Sequence, residues 1–241
     1  MSMKKLFSEP LFFIAFILLA IAGCALQVWY FSIPADAAGL LSAGHISTYA
    51  TVGVLVVTAV LAILATPHMQ MYNMSATVRC VGAFAAAGFM AVSAVLIFLR
   101  GDLFCGALAA IAALGSVYVG LCRLRRGKVH YTAYALFAVC FMFYLITRYR
   151  VWSAEPETAR YLFQLLALVC LMLAVYQRAV FDIDEGKRRS YIIFHLAAVY
   201  FCCLALPGSE HPFFFLASGL WMMTDLCSLR PMPPARKGRF G

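Results

Sequence analysis

Eight apolar runs, each roughly 17–23 residues long, occupy almost the whole of this 241-residue chain and leave only short polar links between them. They cover about 11–33, 45–65, 78–99, 103–122, 129–147, 161–180, 190–207 and 213–229. At about 1.5 Å of rise per residue, a helical run of this length crosses the ~30 Å hydrocarbon core of a bilayer. Composition agrees. Hydrophobic residues make up 64% and charged residues 12% of the chain, whereas a soluble domain carries about 45–50% and 25%. Such a chain cannot cover itself with polar groups, so lipid has to be its solvent. The expected fold is all-α: a polytopic bundle of eight transmembrane helices in one domain, 1–229, followed by a basic, disordered tail at 230–241.

The segment Arg123-Leu124-Arg125-Arg126-Gly127-Lys128 divides the chain into possible halves, 1–122 and 129–229. Each half repeats one loop rhythm (long outer, long inner, tight outer, basic inner), as parallel repeats in some transporters do. Orientation follows from counting. With the N-terminus inside, fifteen of the 19 Lys and Arg residues lie on the cytoplasmic side, and only Arg100, Arg148, Arg150 and Arg160 lie outside. Positive residues accumulate in cytoplasmic loops, so both termini are expected there. The expected setting is a cell membrane crossed many times, of the bacterial cytoplasmic type, with anionic headgroups against the basic loops. The net charge of +9 lacks interleaved aromatics, which argues against nucleic acid. A protein partner or a second copy of the chain remains open.

Ile21-Ala22-Gly23-Cys24 resembles a lipoprotein cleavage motif, but Ala25 to Phe31 stays apolar apart from Gln27, so an uncleaved first span is expected. The nine cysteines form no Cys-x-x-Cys pair and read as packing residues. Runs three and four are rich in Gly and Ala, which lets helix backbones approach closely; they should form the tightest hairpin.

An ionisable side chain inside a span costs about 2.5–3.5 kcal/mol at the bilayer centre, so those present are functional candidates. His195 in run seven and Asp225 in run eight should lie at similar depth in an antiparallel hairpin, with Tyr191 on the face of His195 and Arg79 as a third ionic member. Two readings stand side by side: a substrate- or proton-handling site, since histidine titrates near neutral pH, or a structural hydrogen bond between two helices. At the outer helix ends, His45, Asp102, Glu210 and His211 offer metal-ligand chemistry but read as solvated rim residues. His68-Met69-x-Met71-x-x-Met74 offers thioethers to a soft cation, and Asp182-Ile183-Asp184-Glu185 offers oxygens to a divalent one; packing and a solvated mixed-charge loop are the readings preferred. No cofactor is implied and no catalytic residue is singled out, because phosphate-loop, His-Glu-x-x-His and Gly-x-Ser-x-Gly motifs are absent from the sequence. Three functions remain. The leading one is translocation of a small molecule or ion, or the membrane subunit of such a system. The others are a membrane-embedded enzyme acting on a lipid-like substrate and a scaffold or sensor subunit.

Overall fold

The computed structural model describes residues 9–32, 46–66, 71–74, 76–125, 129–152, 161–183, 186–227 and 229–231. Among the described residues eight α-helices carry the fold: α1 (Glu9–Ser32), α2 (Ile46–Ala65), α3 (Ala76–Leu99), α4 (Leu103–Leu124), α5 (Tyr131–Trp152), α6 (Leu162–Asp182), α7 (Arg188–Ala205) and α8 (Pro212–Cys227). Six of them, α1 to α6, are long and apolar enough to cross a membrane. Helix α8 has 16 residues and α7 carries Arg188, Arg189 and His195 within 18, so neither reaches the same standard of length and apolarity. Two short strands, β1 (Met71–Met74) and β2 (Leu229–Pro231), pair antiparallel. The first residues of the expected tail are therefore tied to the link before α3; 232–241, His45, His68, Met69, Asp184 and Glu185 lie outside the described residues.

The helices α3 to α8 close a ring, in which α4 packs on α3, α3 on α8, α8 on α7, α7 on α6, α6 on α5 and α5 back on α4. The α1–α2 hairpin lies outside this ring and leans on α7. Its own helices share a polar contact, Gln27 Nε2 donating to Thr51 Oγ1 at 3.4 Å. The α3–α4 pair is the most extensive in the molecule, as its Gly and Ala content leads one to expect. Its three-residue link, Arg100 to Asp102, is closed by hydrogen bonds from Gly101 N to Phe98 O and from Asp102 N to Ile97 O, at 3.0 and 3.3 Å. That is the Schellman end of a helix, and it needs the positive φ of 86° that Gly101 adopts. Asp102 then caps α4 by accepting from Cys105 N at 3.1 Å.

Helix α5 differs most from its expected extent. The apolar run stops near 147, but the helix continues to Trp152, because Arg148 is buried and held by ion pairs rather than released into a loop. Along one face of α5, Tyr134, Phe137, Phe141, Tyr144 and Arg148 recur at alternating steps of three and four and are all buried. This stripe runs from one end of the ring to the other, about 21 Å at 1.5 Å per residue.

Helix α3 meets α8 at Gly82, where an added Cβ would fall 1.9 Å from Thr224 Oγ1; at Gly88, on the same helix, it would meet nothing within 4 Å. Gly82→Ala is therefore expected to destabilise the protein by about 1–3 kcal/mol through overpacking, whereas Gly88→Ala leaves stability unchanged or raises it by up to ~1 kcal/mol. Thermal melting of both variants in nanodiscs checks this. Equal effects of the two substitutions would remove the close α3–α8 approach as the cause.

Candidate functional site

The ring carries a polar network at each end. The first gathers where α4, α6 and α8 finish and α3, α5 and α7 begin. Its centre is Arg178 of α6, 2% exposed, whose position follows from Leu171, Ala174 and Arg178 sharing the buried face of that helix. Arg178 Nε lies 3.6 Å from Asp225 Oδ2 on α8, and Arg178 Nη2 lies 3.4 Å from Asp182 Oδ1 one turn further along α6. Arg178 Nη1 donates to Tyr191 Oη on α7 at 3.0 Å. Asp182 Oδ2 also pairs with Arg123 at the end of α4 and accepts from Tyr134 Oη at 2.7 Å; Arg123 Nη2 donates to that same hydroxyl at 2.8 Å. Arg79, buried in the first turn of α3, lies within the electrostatic field of Arg178, Arg123, Asp225 and Asp182.

All four residues singled out from the sequence, His195, Asp225, Arg79 and Tyr191, are buried at this end. The pairing differs from expectation. His195 is fully buried; its Nδ1 donates to Tyr191 O within α7 at 2.8 Å, and its Nε2 meets no hydrogen-bond partner. The imidazole therefore does not bond Asp225. That carboxylate turns to Arg178, because in an apolar interior a fixed cation compensates it better than a neutral ring. Arg178, Arg123 and Tyr134 were missed as site residues, and Asp182, expected in a solvated mixed-charge loop, is instead drawn into the network. Their signals were the four-residue spacing of Arg178 and Asp182 and the α5 stripe that begins at Tyr134. A pocket of about 300 Å³ reaches this network, lined by His130, Tyr131, Tyr134 and Asp182 together with Val129, Ala179 and Ile183.

The second network lies at the opposite end, between the α3–α4 turn, the C-terminal part of α5 and the α7–α8 turn. Arg148 Nη1 pairs with Glu210 Oε2 and Arg148 Nη2 with Asp102 Oδ2, both at 2.8 Å. The same Nη2 lies 3.0 Å from His211 Nε2 and 3.1 Å from its Nδ1, and Tyr144 Oη lies 2.6 Å from His211 Nδ1. Arg100 donates to the backbone oxygen of Glu210. Three of the four residues expected to be a solvated rim thus converge, and His211 is 5% exposed. What gathers them is Arg148, a side chain the sequence had placed in a loop. Among the described residues, no cluster of His, Cys, Asp and Glu is arranged to hold a metal ion.

Between the two networks the interior is aromatic and apolar. Phe137 packs on Trp221 at 4.6 Å between ring centroids, Phe141 on Phe214 at 5.8 Å, and Tyr144 stacks on Phe214 at 4.4 Å. The nearby hydroxyls of Ser116 and Ser218 are spent on their own helices. This architecture is that of a helical membrane bundle, with its charges drawn into the two ends of a helix ring. Compared with protein-family models, with curated proteins and with solved structures, the chain has no match.

Arg178 and Asp225 are expected to behave as one unit. Removing either partner strands a buried charge and costs about 3–5 kcal/mol. Arg178→Gln and Asp225→Asn should each lower stability by about that much, while the double variant loses clearly less than the two together. Denaturation in detergent reads out the cycle; strict additivity would show that the two groups are not coupled.

Proposed function

We propose that the chain crosses the membrane eight times, with both termini on the cytoplasmic side, and translocates a small ion or charged molecule, alone or as the membrane subunit of a transport system. The observation that carries this reading is the buried network of Arg178, Asp225, Asp182 and Tyr191. Ionisable groups are kept inside membrane helices, at several kcal/mol each, chiefly where they handle ions, protons or charged substrates. Two ionic networks capping one six-helix ring, with a dry aromatic interior between them, fit a translocating protein closed at both ends. The orientation draws support from charge. The end holding Arg79 and Arg123 also holds Arg125, Lys187, Arg188 and Arg189, and the other end holds Arg100, Arg148 and Arg150. In this reading Arg178 and Arg79 hold the site's positive charge, Asp225 is the exchangeable carboxylate, and His195 offers the open Nε2 lone pair as a proton acceptor.

A second reading rests on the pocket of about 300 Å³ beside Tyr134 and Asp182. It lies at one end of the ring, where a membrane-embedded enzyme would take a lipid-like substrate from the bilayer surface.

Flux and turnover separate the two. Proteoliposomes loaded with a pH-sensitive dye and placed under an imposed potassium diffusion potential should show protein-dependent proton flux. Asp225→Asn and His195→Gln should each reduce it at least tenfold, with melting confirming that the variants fold. Vesicles that stay tight with the wild-type protein, beside lipid turnover by the same protein in detergent, would move the second reading to the front.

A further inference from the structure

His211 occupies an unusual place for a titratable group. It lies in the α7–α8 turn, outside the helices, yet it is buried against groups from every neighbouring element. Tyr144 and Arg148 face it from α5, Arg100 and Asp102 from the α3–α4 turn, and Ser209 and Glu210 from its own turn. Cys105 of α4 is buried next to Asp102 and Arg148, and Phe214 of α8 stacks on Tyr144.

The hydrogen-bond chemistry of this contact admits one protonation state. Arg148 Nη2 lies 3.0 Å from Nε2 and 3.1 Å from Nδ1; a guanidinium has five N–H donors and no acceptor, so the nitrogen that takes its hydrogen bond has to accept. A doubly protonated ring has no acceptor and carries a positive charge of its own. The closed arrangement therefore requires neutral His211. Four further bonds hang on the same assembly. Arg148 joins the turn's Glu210 to Asp102, Arg100 holds the backbone of Glu210, and Gln164 of α6 holds Gly208 O at 2.7 Å.

We propose that the His211–Arg148 contact is a proton-sensitive latch: a proton taken up by His211 removes the acceptor that Arg148 donates to, sets cation against cation, and frees the α7–α8 turn from the end of α5, opening this end of the ring. The latch stands whether or not the opposite end translocates anything.

Burial, with the guanidiniums of Arg148 and Arg100, pushes His211 down to about 4, against a smaller opposing pull from Asp102. In the open form the ring returns toward its ordinary value of about 6.5. The open form therefore takes up the proton first. Closure is at full strength above about 6.5, weakens as pH falls through the interval down to about 4, and changes no further below it.

The test uses the full chain in nanodiscs, with native cysteines replaced and spin labels at Leu103→Cys and Phe213→Cys, two exposed positions flanking the latch. Pulsed electron–electron distances are taken between pH 7.5 and 4.5, and melting confirms the fold of each sample. The wild type should show one short distance at pH 7.5 and a growing longer population on acidification, with the open-to-closed ratio rising on the order of fifty-fold by pH 4.5. His211→Gln, which keeps an acceptor toward Arg148 but does not titrate, should stay closed throughout. His211→Lys, a fixed cation, should be open already at pH 7.5. A wild-type distance that does not change with pH overturns the latch, and so does a His211→Gln variant that opens like the wild type, since the carboxylates would then be responsible.

Discussion

A guanidinium buried in an apolar medium has to be surrounded by acceptors, and Arg178 is where that requirement shapes the molecule. No single helix can satisfy it. Asp182 comes from one turn further along α6, Tyr191 from α7 and Asp225 from α8. Asp182 in turn draws in Arg123 of α4 and Tyr134 of α5. Through this one side chain and its first partners, five of the six ring helices acquire a fixed neighbour at one end. In water such pairs contribute little, because solvent competes for each charge. Inside the ring solvent is gone, and a missing partner leaves a buried charge uncompensated. Helices that are otherwise interchangeable apolar rods thereby gain a defined order around the ring.

The face of α5 couples this end to the other. Tyr134 belongs to the first network, Tyr144 and Arg148 belong to the second, and Phe137 and Phe141 fill the span between. One helix therefore fixes the separation of the two ionic ends and supplies part of the aromatic seal. A shift of α5 along its axis, or the release of either end, alters both networks together. That is a simple physical route by which the state of one end can bias the other, through a packed element with two ionic anchors. The networks differ in character. The first is built from groups inside the helices, the second from a helix end and two turns, and His211 has both ring nitrogens within hydrogen-bond distance of a partner.

Much of the helix pattern was legible in the amino-acid sequence. Each of the eight runs corresponds to a helix, because a long apolar run satisfies its own backbone hydrogen bonds in hydrocarbon only by coiling on itself. Gly101 between Arg100 and Asp102 announced the tight α3–α4 turn, since its left-handed backbone is strained for any side chain. The four residues His195, Asp225, Arg79 and Tyr191 were legible as candidates because polar groups stand out in an apolar background. Their pairing was not. His195 and Asp225 are matched in depth, yet Asp225 turns to Arg178, which looked from the sequence like one more basic residue at the inner end of a run. Arg148 was misjudged in the same way at the other end, as a loop residue beyond α5.

The difference has a physical root. Helix formation in an apolar chain is local, decided by run length, hydropathy and turn residues, so the sequence by itself determined the elements, their approximate ends and the chemistry available in them. Which helices become neighbours, and which face each turns inward, depends on contacts between residues tens of positions apart. Arg148 lies 62 positions from Glu210, and Tyr134 lies 48 from Asp182. Apolar side chains are nearly equivalent to lipid tails and carry little information about those choices. They were decided in the tertiary structure by the few groups that lipid cannot satisfy.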